Sequence, residues 1–524
     1  MYGILVGCDT RSQPHRKADD QEIVKPAPPI LTTNDDYVIN PAVYSEDGIG
    51  RPAHPLITSS QKPNMSQTAT ISLETLTRET QQPTGDTTPR DEPGDAFESG
   101  PGSHQEFSLP PVDIGKDAWL FLAACFVIEA LVWGFPFSFG IFQKYYSSHE
   151  PFMGSHNIAI IGTCTSGIMY LSGLPALVLN RMYPRLGRWL PIVGLLIMCL
   201  SLALSSFATT VTQLIATQGV LYAVGGSIGY LPCILYMDEW FVRRKGLAYG
   251  IMWSGTGLAG VVLPLLLEYL LNAYGYQTTL RVWACALFVL TAPLAYFIKP
   301  RLPPSPVTHL RAFNLRFALS GPFMFYQLAN VVEAVGFFLP GIYLPSYAAD
   351  TLKAGPFPSA LTALLVNVSS VAGCVGLGFL IDRLHVTTCI LACTVGATVG
   401  TFLLWGFAVN LPVLYIFCIM YGLFAGSFTT TWTGIMREVS MRYNASAGHS
   451  RSIDPSMVFV LLAAGRGIGN VVSGPLSEVL VKGRPWQGEA GAGYGSGYGA
   501  LIVFTGVSAL LGGGSFLGRV AGQL

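Results

Sequence analysis

From Ala118 to Leu517 the chain alternates between long apolar runs and short polar connections. Six runs cover Ala118–Phe142, Ile158–Leu179, Trp189–Phe207, Leu214–Met237, Leu247–Leu271 and Leu280–Ile298. Six more cover Phe323–Tyr347, Leu361–Ile381, Thr388–Ala408, Pro412–Met436, Met457–Val481 and Tyr498–Leu517. Each is close to the roughly 20 residues an α-helix needs to cross a bilayer core. In hydrocarbon every backbone N–H and C=O must be satisfied within the protein, and a helix does this within its own segment. The expectation is an all-α membrane protein of twelve transmembrane helices in two six-helix halves. The halves are bounded as 117–298 and 317–524, with a linker at 299–316 and a tail at 1–116.

Composition agrees with that expectation. Of the 524 residues, 51% are hydrophobic and only 11% charged, against roughly 25% charged in soluble chains. Net charge is zero, so nothing points to a nucleic-acid partner. Of ten cysteines only Cys8 lies outside the apolar runs. Their spacing fits neither a zinc site nor a disulfide framework, so no metal and no cofactor is expected. The stretch from Met1 to Lys116 is rich in Ser, Thr, Pro, Asp and Gln. It lacks apolar periodicity and reads as a disordered cytoplasmic tail. Tyr2 to Val6 is too short to serve as a secretory signal.

Loop charge sets the expected orientation. Loops on one side carry fourteen basic residues, among them Arg181, Arg185, Arg188, Arg243, Arg244, Lys245, Arg383 and Arg437. The opposite loops carry five: Lys144, Arg281, Lys353, Lys482 and Arg484. The richer side is read as cytoplasmic, with both termini inside, most simply at the plasma membrane.

The two sets of runs overlay on each other. Glu129-Ala130 precedes Pro136, and Glu333-Ala334 precedes Pro340, each proline seven residues after its glutamate. Gly255-Thr256-Gly257 lies thirteen residues before Glu268 by its first glycine, as Gly465-Arg466-Gly467 does before Glu478. Gly225 and Gly229 match Gly422 and Gly426, and Asn180-Arg181 matches Asp382-Arg383. All of these pairs lie about 200 residues apart. Parallel repeats of this kind place a substrate site between the halves, near the bilayer midplane.

Several motifs resemble one transporter family. Asp238 to Gly260 reads DEWFVRRKGLAYGIMWSGTGLAG. Trp240-Phe241, the triplet Arg243-Arg244-Lys245, Leu247-Ala248, Gly250 and Gly255 together resemble the helix-5 signature of the monocarboxylate porter family. That family lies within the major facilitator superfamily. The last glycine of the pattern falls on Ala259, with Gly260 one place late. Gly378 to Arg383 resembles the superfamily's cytoplasmic loop motif, which locks neighbouring helices in one conformation. Its N-terminal copy is degenerate, with Ala176 and Asn180 at the glycine and aspartate positions. The stronger lock is therefore expected after helix 8. Arg243, Arg244, Lys245, Asp382 and Arg383 are taken as gating-loop residues. The helix-1 signature is partly kept, as Asp113, Gly115 and Trp119. The resemblance covers Asp113 to the C-terminus and implies the major facilitator fold; the Trp-Gly-Phe-Pro-Phe-Ser-Phe-Gly stretch and the long tail resemble fungal-type members.

A charge in the hydrocarbon core costs about 2.5–3.5 kcal/mol on insertion scales and needs a reason to be there. Glu129, Glu333 and Arg466 lie near mid-run. The glutamates read either as protonatable transport groups or as structural glue between helices. Arg466 reads either as a bidentate clamp for a substrate carboxylate or as the structural partner of Glu129 or Glu333. The family's well-studied substrate arginine lies in helix 8, where this chain has none before the Asp382-Arg383 loop, so that role is not transferred. Glu268 and Glu478 read as interfacial. Gln327, Asn330, Asn367 and Trp432 are pocket candidates whose bland alternative is packing or helix-to-helix hydrogen bonding.

No Gly-x-x-x-x-Gly-Lys-Ser/Thr phosphate loop, catalytic triad or metal cluster stands in the sequence, which argues against an ATP-driven pump and against an enzyme. The resemblance implies a proton-linked secondary transporter of a small organic acid or carboxylated secondary metabolite, working as an exporter and expected as a monomer in the bilayer. Uptake of a monocarboxylate or riboflavin-like nutrient is the alternative. A sensor that keeps the fold without moving substrate is the alternative of another class.

Overall fold

The computed structural model describes residues 109–155, 157–302, 315–447 and 453–522. The tail up to residue 108 and most of the expected linker lie outside the described residues. Among the described residues all regular structure is helical. The helices are α1 (Lys116–Phe137), α2 (Phe139–Ser148), α3 (Ile158–Leu171), α4 (Gly173–Met182), α5 (Leu190–Ser205), α6 (Val211–Leu214), α7 (Tyr222–Trp240) and α8 (Lys245–Thr291). They continue as α9 (Gly321–Asp350), α10 (Pro356–Ile381), α11 (Val386–Val399), α12 (Leu411–Phe424), α13 (Thr431–Ala447), α14 (Pro455–Val481), α15 (Gly499–Gly512) and α16 (Gly514–Val520).

By length and apolar character nine helical stretches among the described residues can cross a membrane, or ten if α3 and α4, bent by 45°, form one span. Every apolar run read from the sequence falls largely on helix. The fifth and sixth runs lie in one stretch, Lys245–Tyr296. It is broken at Gly275, whose φ of 73° is a left-handed turn that glycine adopts without strain. The third run is the shorter helix α5, with Pro191 in its first turn and an end at Ser206, whose hydroxyl donates to the Ala203 carbonyl. The first run divides into α1 and α2 at Ser138, just after Pro136 has removed a backbone donor. Large apolar side chains such as Leu196, Val262, Leu328, Leu403 and Leu511 stay more than half exposed. An apolar surface of that extent suits lipid rather than water; the chain is a multi-pass membrane protein.

The helices before residue 302 meet those after 315 along two seams. On one, Gly246 and Gly250 of α8 face Cys374 and Gly378 of α10, and a Cβ placed on Gly250 would stand 2.3 Å from the Cys374 carbonyl oxygen. Only glycine lets the two backbones come so close. On the other, Gly467 of α14 packs on Tyr170 and Leu171 of α3, and the Asn470 amide donates to the Ser166 hydroxyl at 2.6 Å.

Candidate functional site

Both mid-run glutamates are buried, and the two helices that hold them are equivalent in the internal repeat. Glu333 of α9 accepts a hydrogen bond from Arg466 of α14 at 2.9 Å, with their side chains only 6% and 2% exposed. Glu129 of α1 accepts from the Thr256 hydroxyl of α8 at 2.5 Å. Thr256 and Arg466 are the middle residues of the two repeated Gly-x-Gly motifs, so one duplicated contact is neutral and the other is an ion pair. Of the two partners weighed for Arg466, Glu333 is the one it contacts. The guanidinium also lies over the Phe337 ring at 4.2 Å, with Phe338 at 5.4 Å. The second carboxyl oxygen of Glu129 is buried and has no hydrogen-bond partner among the described residues.

A charge pair this deep persists only with good geometry, because several kcal/mol of hydration are lost per ion. Arg466 meets that condition with one carboxylate and two aromatic faces. Its fork retains further N–H groups, so a second carboxylate arriving beside it finds donors already oriented.

The four pocket candidates bind other parts of the protein. The Gln327 and Asn330 amides donate to the carbonyls of Leu461 and Leu462, each at 2.8 Å. The Trp432 indole N–H donates to Asn330 Oδ1 at 3.1 Å, and the Asn367 amide to the Gly260 carbonyl at 3.1 Å. These bonds tie α9 to α13 and α14, and α8 to α10. The buried Gln327 Oε1 has no partner among the described residues.

At the basic-loop end two carboxylates grip one segment. Asp382 accepts from the backbone N–H of Gly246 at 2.7 Å and of Leu247 at 2.9 Å, at the N-terminus of α8. Such a helix end carries unpaired donors and a positive partial charge. Burial pushes the Asp382 carboxyl above its usual range, against the opposing pull of the Leu247 and Gly246 N–H groups. Asp113 accepts from Val242, Arg243 and Arg244 N–H, each at 3.0 Å. The ammonium of Lys245 pairs with Asp238 at 2.7 Å, and the Arg383 guanidinium covers the Phe379 ring at 3.9 Å. At the degenerate copy of this motif Arg181 pairs with Asp454, which caps α14 by accepting from Ser456 N–H at 2.8 Å. The acid missing at Asn180 is thus supplied from the opposite helix.

Above this clamp four aromatic rings meet across the seam. Trp253 stacks on Phe459 at 6.2 Å, meets Trp432 edge-on at 6.0 Å, and lies 5.1 Å from Tyr249. Sequence reading missed this cluster, Asp454 and the triple grip of Asp113. Asp454, three residues before the start of an apolar run at Met457, was a legible helix-cap signal; the ring cluster depends on three helices and leaves no trace in one.

The chain is similar to known proteins. The family model described as Major Facilitator Superfamily matches residues 121–448. The MFS-type transporter pytF of Aspergillus terreus is 30% identical over 285 residues, covering 54% of this chain and 95% of its own. The MFS transporter asaE of Aspergillus flavus is 25% identical over 423 residues, 80% of this chain and 90% of its own. The fujikurins efflux protein of Gibberella fujikuroi is 28% identical, covering 61% of this chain and 69% of its own. Monocarboxylate transporter 13 of Bos taurus is 28% identical, covering 51% and 62%.

Proposed function

We propose, because this chain belongs to the major facilitator superfamily, that it is a proton-linked exporter of a carboxylated secondary metabolite or small organic acid. It is a transporter and not an enzyme. In this reading the twelve apolar runs form two six-helix halves, both termini are cytoplasmic, and the basic-loop end faces the cytosol of a plasma-membrane protein. A monomer suffices for the work.

The buried Arg466–Glu333 pair carries the reading. Without substrate the guanidinium is neutralised by Glu333. A substrate carboxylate competes for the same fork, and a proton arriving on Glu333 removes its claim on Arg466. Substrate and proton then favour each other's binding, which is the linkage a coupled transporter needs. Glu129, equivalent by repeat and held by the neutral Thr256 hydroxyl rather than a cation, is the second protonatable site. The clamp at Asp382, Asp113 and Arg181, together with the ring cluster, closes the cytoplasmic end in the state described.

The efflux direction is supported by the similarity to the fujikurins efflux protein of Gibberella fujikuroi and the agnestins efflux protein of Paecilomyces divaricatus. Uptake of a monocarboxylate is the second reading, favoured by the similarity to monocarboxylate transporter 13. Metabolite profiling inside and outside a deletion strain separates them: an exporter's substrate accumulates inside, an importer's stays outside. No change on either side, with the protein shown to be expressed in the parent strain, argues for a sensor. With the metabolite so identified, Arg466→Lys in liposomes should impair transport although charge is kept, since an ammonium lacks the fork. Glu333→Gln should lose pH-driven flux yet retain substrate exchange. Stable variants with wild-type pH-driven transport would sink the assignment.

A further inference from the structure

Behind Glu333, away from the seam between the two sets of helices, lies a cavity of about 10 Å³, room on the order of one water molecule. It is walled by α9, α11, α12 and α15, through Glu333, Cys393, Thr394, Tyr421, Thr505 and Ser508 among others; Arg466 is not part of its wall. Two hydroxyls on that wall are already committed: Ser508 donates to the Thr505 carbonyl at 2.9 Å and Tyr421 to the Phe337 carbonyl at 3.2 Å. Two are not. The hydroxyls of Thr394 and Thr505 are buried without a hydrogen-bond partner among the described residues, and the residues are 5% and 1% exposed.

A buried hydroxyl without a partner has lost its hydration with nothing in return, and two around one small cavity are hard to account for if it is dry. A buried water typically makes about three hydrogen bonds. The Glu333 carboxyl, Thr394 and Thr505 offer three. We propose that this cavity is a water-binding site and that its water is the alternative partner of Glu333. The proposal rests on the reading of Glu333 as proton carrier. Arg466 holds Glu333 Oε2 from α14, whereas the water meets the carboxyl from the cavity. When Arg466 turns to a substrate, the carboxylate still accepts from the water. When Glu333 is protonated, its O–H donates to the water oxygen. Each threonine hydroxyl can donate or accept and follows the change. The other titratable or charged groups facing Glu333 are Arg466 and Tyr170 from the seam side and Cys393 and Tyr421 from the cavity side.

The test uses the purified full-length protein without substrate. Infrared difference spectra across a pH titration identify the Glu333 carboxyl band as the one lost in Glu333→Gln. In Thr394→Val/Thr505→Val that band should move to higher frequency, its hydrogen–deuterium exchange should slow several-fold, and the melting temperature should fall. Thr394→Ser and Thr505→Ser keep the hydroxyl and should match wild type in band and exchange. A double valine variant with an unchanged band and an equal or higher melting temperature means a dry cavity and overturns the proposal. Serine variants that behave like the valine ones also overturn it, since packing rather than the hydroxyl would then be responsible. If the double variant does not fold, the single valine variants carry the same comparison. If Glu333→Gln removes no titrating band, the proton-carrier reading falls by itself, and the water site is decided by the melting comparison of valine against serine.

Discussion

Replacing Gly250 by alanine should open the basic-loop end of the protein without unfolding it. The added Cβ would stand 2.3 Å from the Cys374 carbonyl oxygen and 3.1 Å from Gly378 Cα. Both obstacles are backbone, so neither can rotate away. Ordinary contact begins at 3.4 Å, which leaves a shortfall of about 1.1 Å that α8 and α10 must make up by parting. Overpacking of this kind costs about 1–3 kcal/mol. The cost falls on the state in which the seam is shut, because each helix keeps its packing within its own set. The ratio of shut to parted molecules should therefore drop by about 5- to 150-fold. Spin labels at Val242→Cys and Leu384→Cys, both exposed and flanking the seam, report the change in a background freed of native cysteines. Electron–electron resonance should show a second, longer distance in Gly250→Ala. Gly376→Ala is the control: it lies on the facing helix α10 with nothing within 4 Å of its Cβ, and should leave the distances alone while gaining about 0.5–1 kcal/mol of helix stability. A Gly250→Ala protein with wild-type distances would refute the view that this close approach governs opening.

Arg466→Ala leaves a buried carboxylate without its cation and should cost about 3–5 kcal/mol, read as a lowered melting temperature. Glu333→Gln/Arg466→Met should recover most of that loss while remaining inactive; a single variant that melts like wild type contradicts the burial of the pair. Thr256→Val removes the hydrogen bond that the Thr256 hydroxyl donates to Glu129 and should destabilise by about 1–3 kcal/mol, with Thr256→Ser restoring it, as thermal melts will show. Asp382 titrates above its ordinary value of 3.8 in the clamped state, so that state binds the proton more tightly than one in which Asp382 is solvated. Clamping should strengthen as pH falls, reach its full extent below the ordinary value, and be lost as pH rises through the raised one. The same label pair measures this, and Asp382→Asn should abolish the dependence.

The helices were legible because hydrocarbon leaves the backbone few options, so length and apolarity alone located them. Breaks inside a run were less legible: Ser138 interrupts a run whose composition hardly changes, whereas Gly275 falls in the connection read between the fifth and sixth runs. The duplication was read from glutamate, glycine and proline spacing, and it matched Glu129 with Glu333 and Thr256 with Arg466 as equivalent positions before any distance was known. It did not reveal that Arg466 would turn to Glu333 rather than Glu129, because that choice depends on which helices adjoin. Nor could a linear pattern show that Asp113 and Asp382, 269 residues apart, hold consecutive stretches of one loop and helix. Asn330 and Trp432 were read as pocket groups from their polarity. Their bonds to each other and to α14 are tertiary facts, made by helices remote in sequence.

The single ion pair at the centre also has an electrical consequence. An empty carrier with Glu333 ionised and Arg466 protonated bears no net charge at that point. A carrier loaded with one carboxylate anion and one proton on Glu333 again bears none. In the proposed cycle neither form moves net charge through the membrane field, although that field is worth about 2.3 kcal/mol per elementary charge for every 100 mV. The cell's voltage can then neither drive nor oppose the exporter, and a product could leave a strongly polarised cell on concentration and pH differences alone.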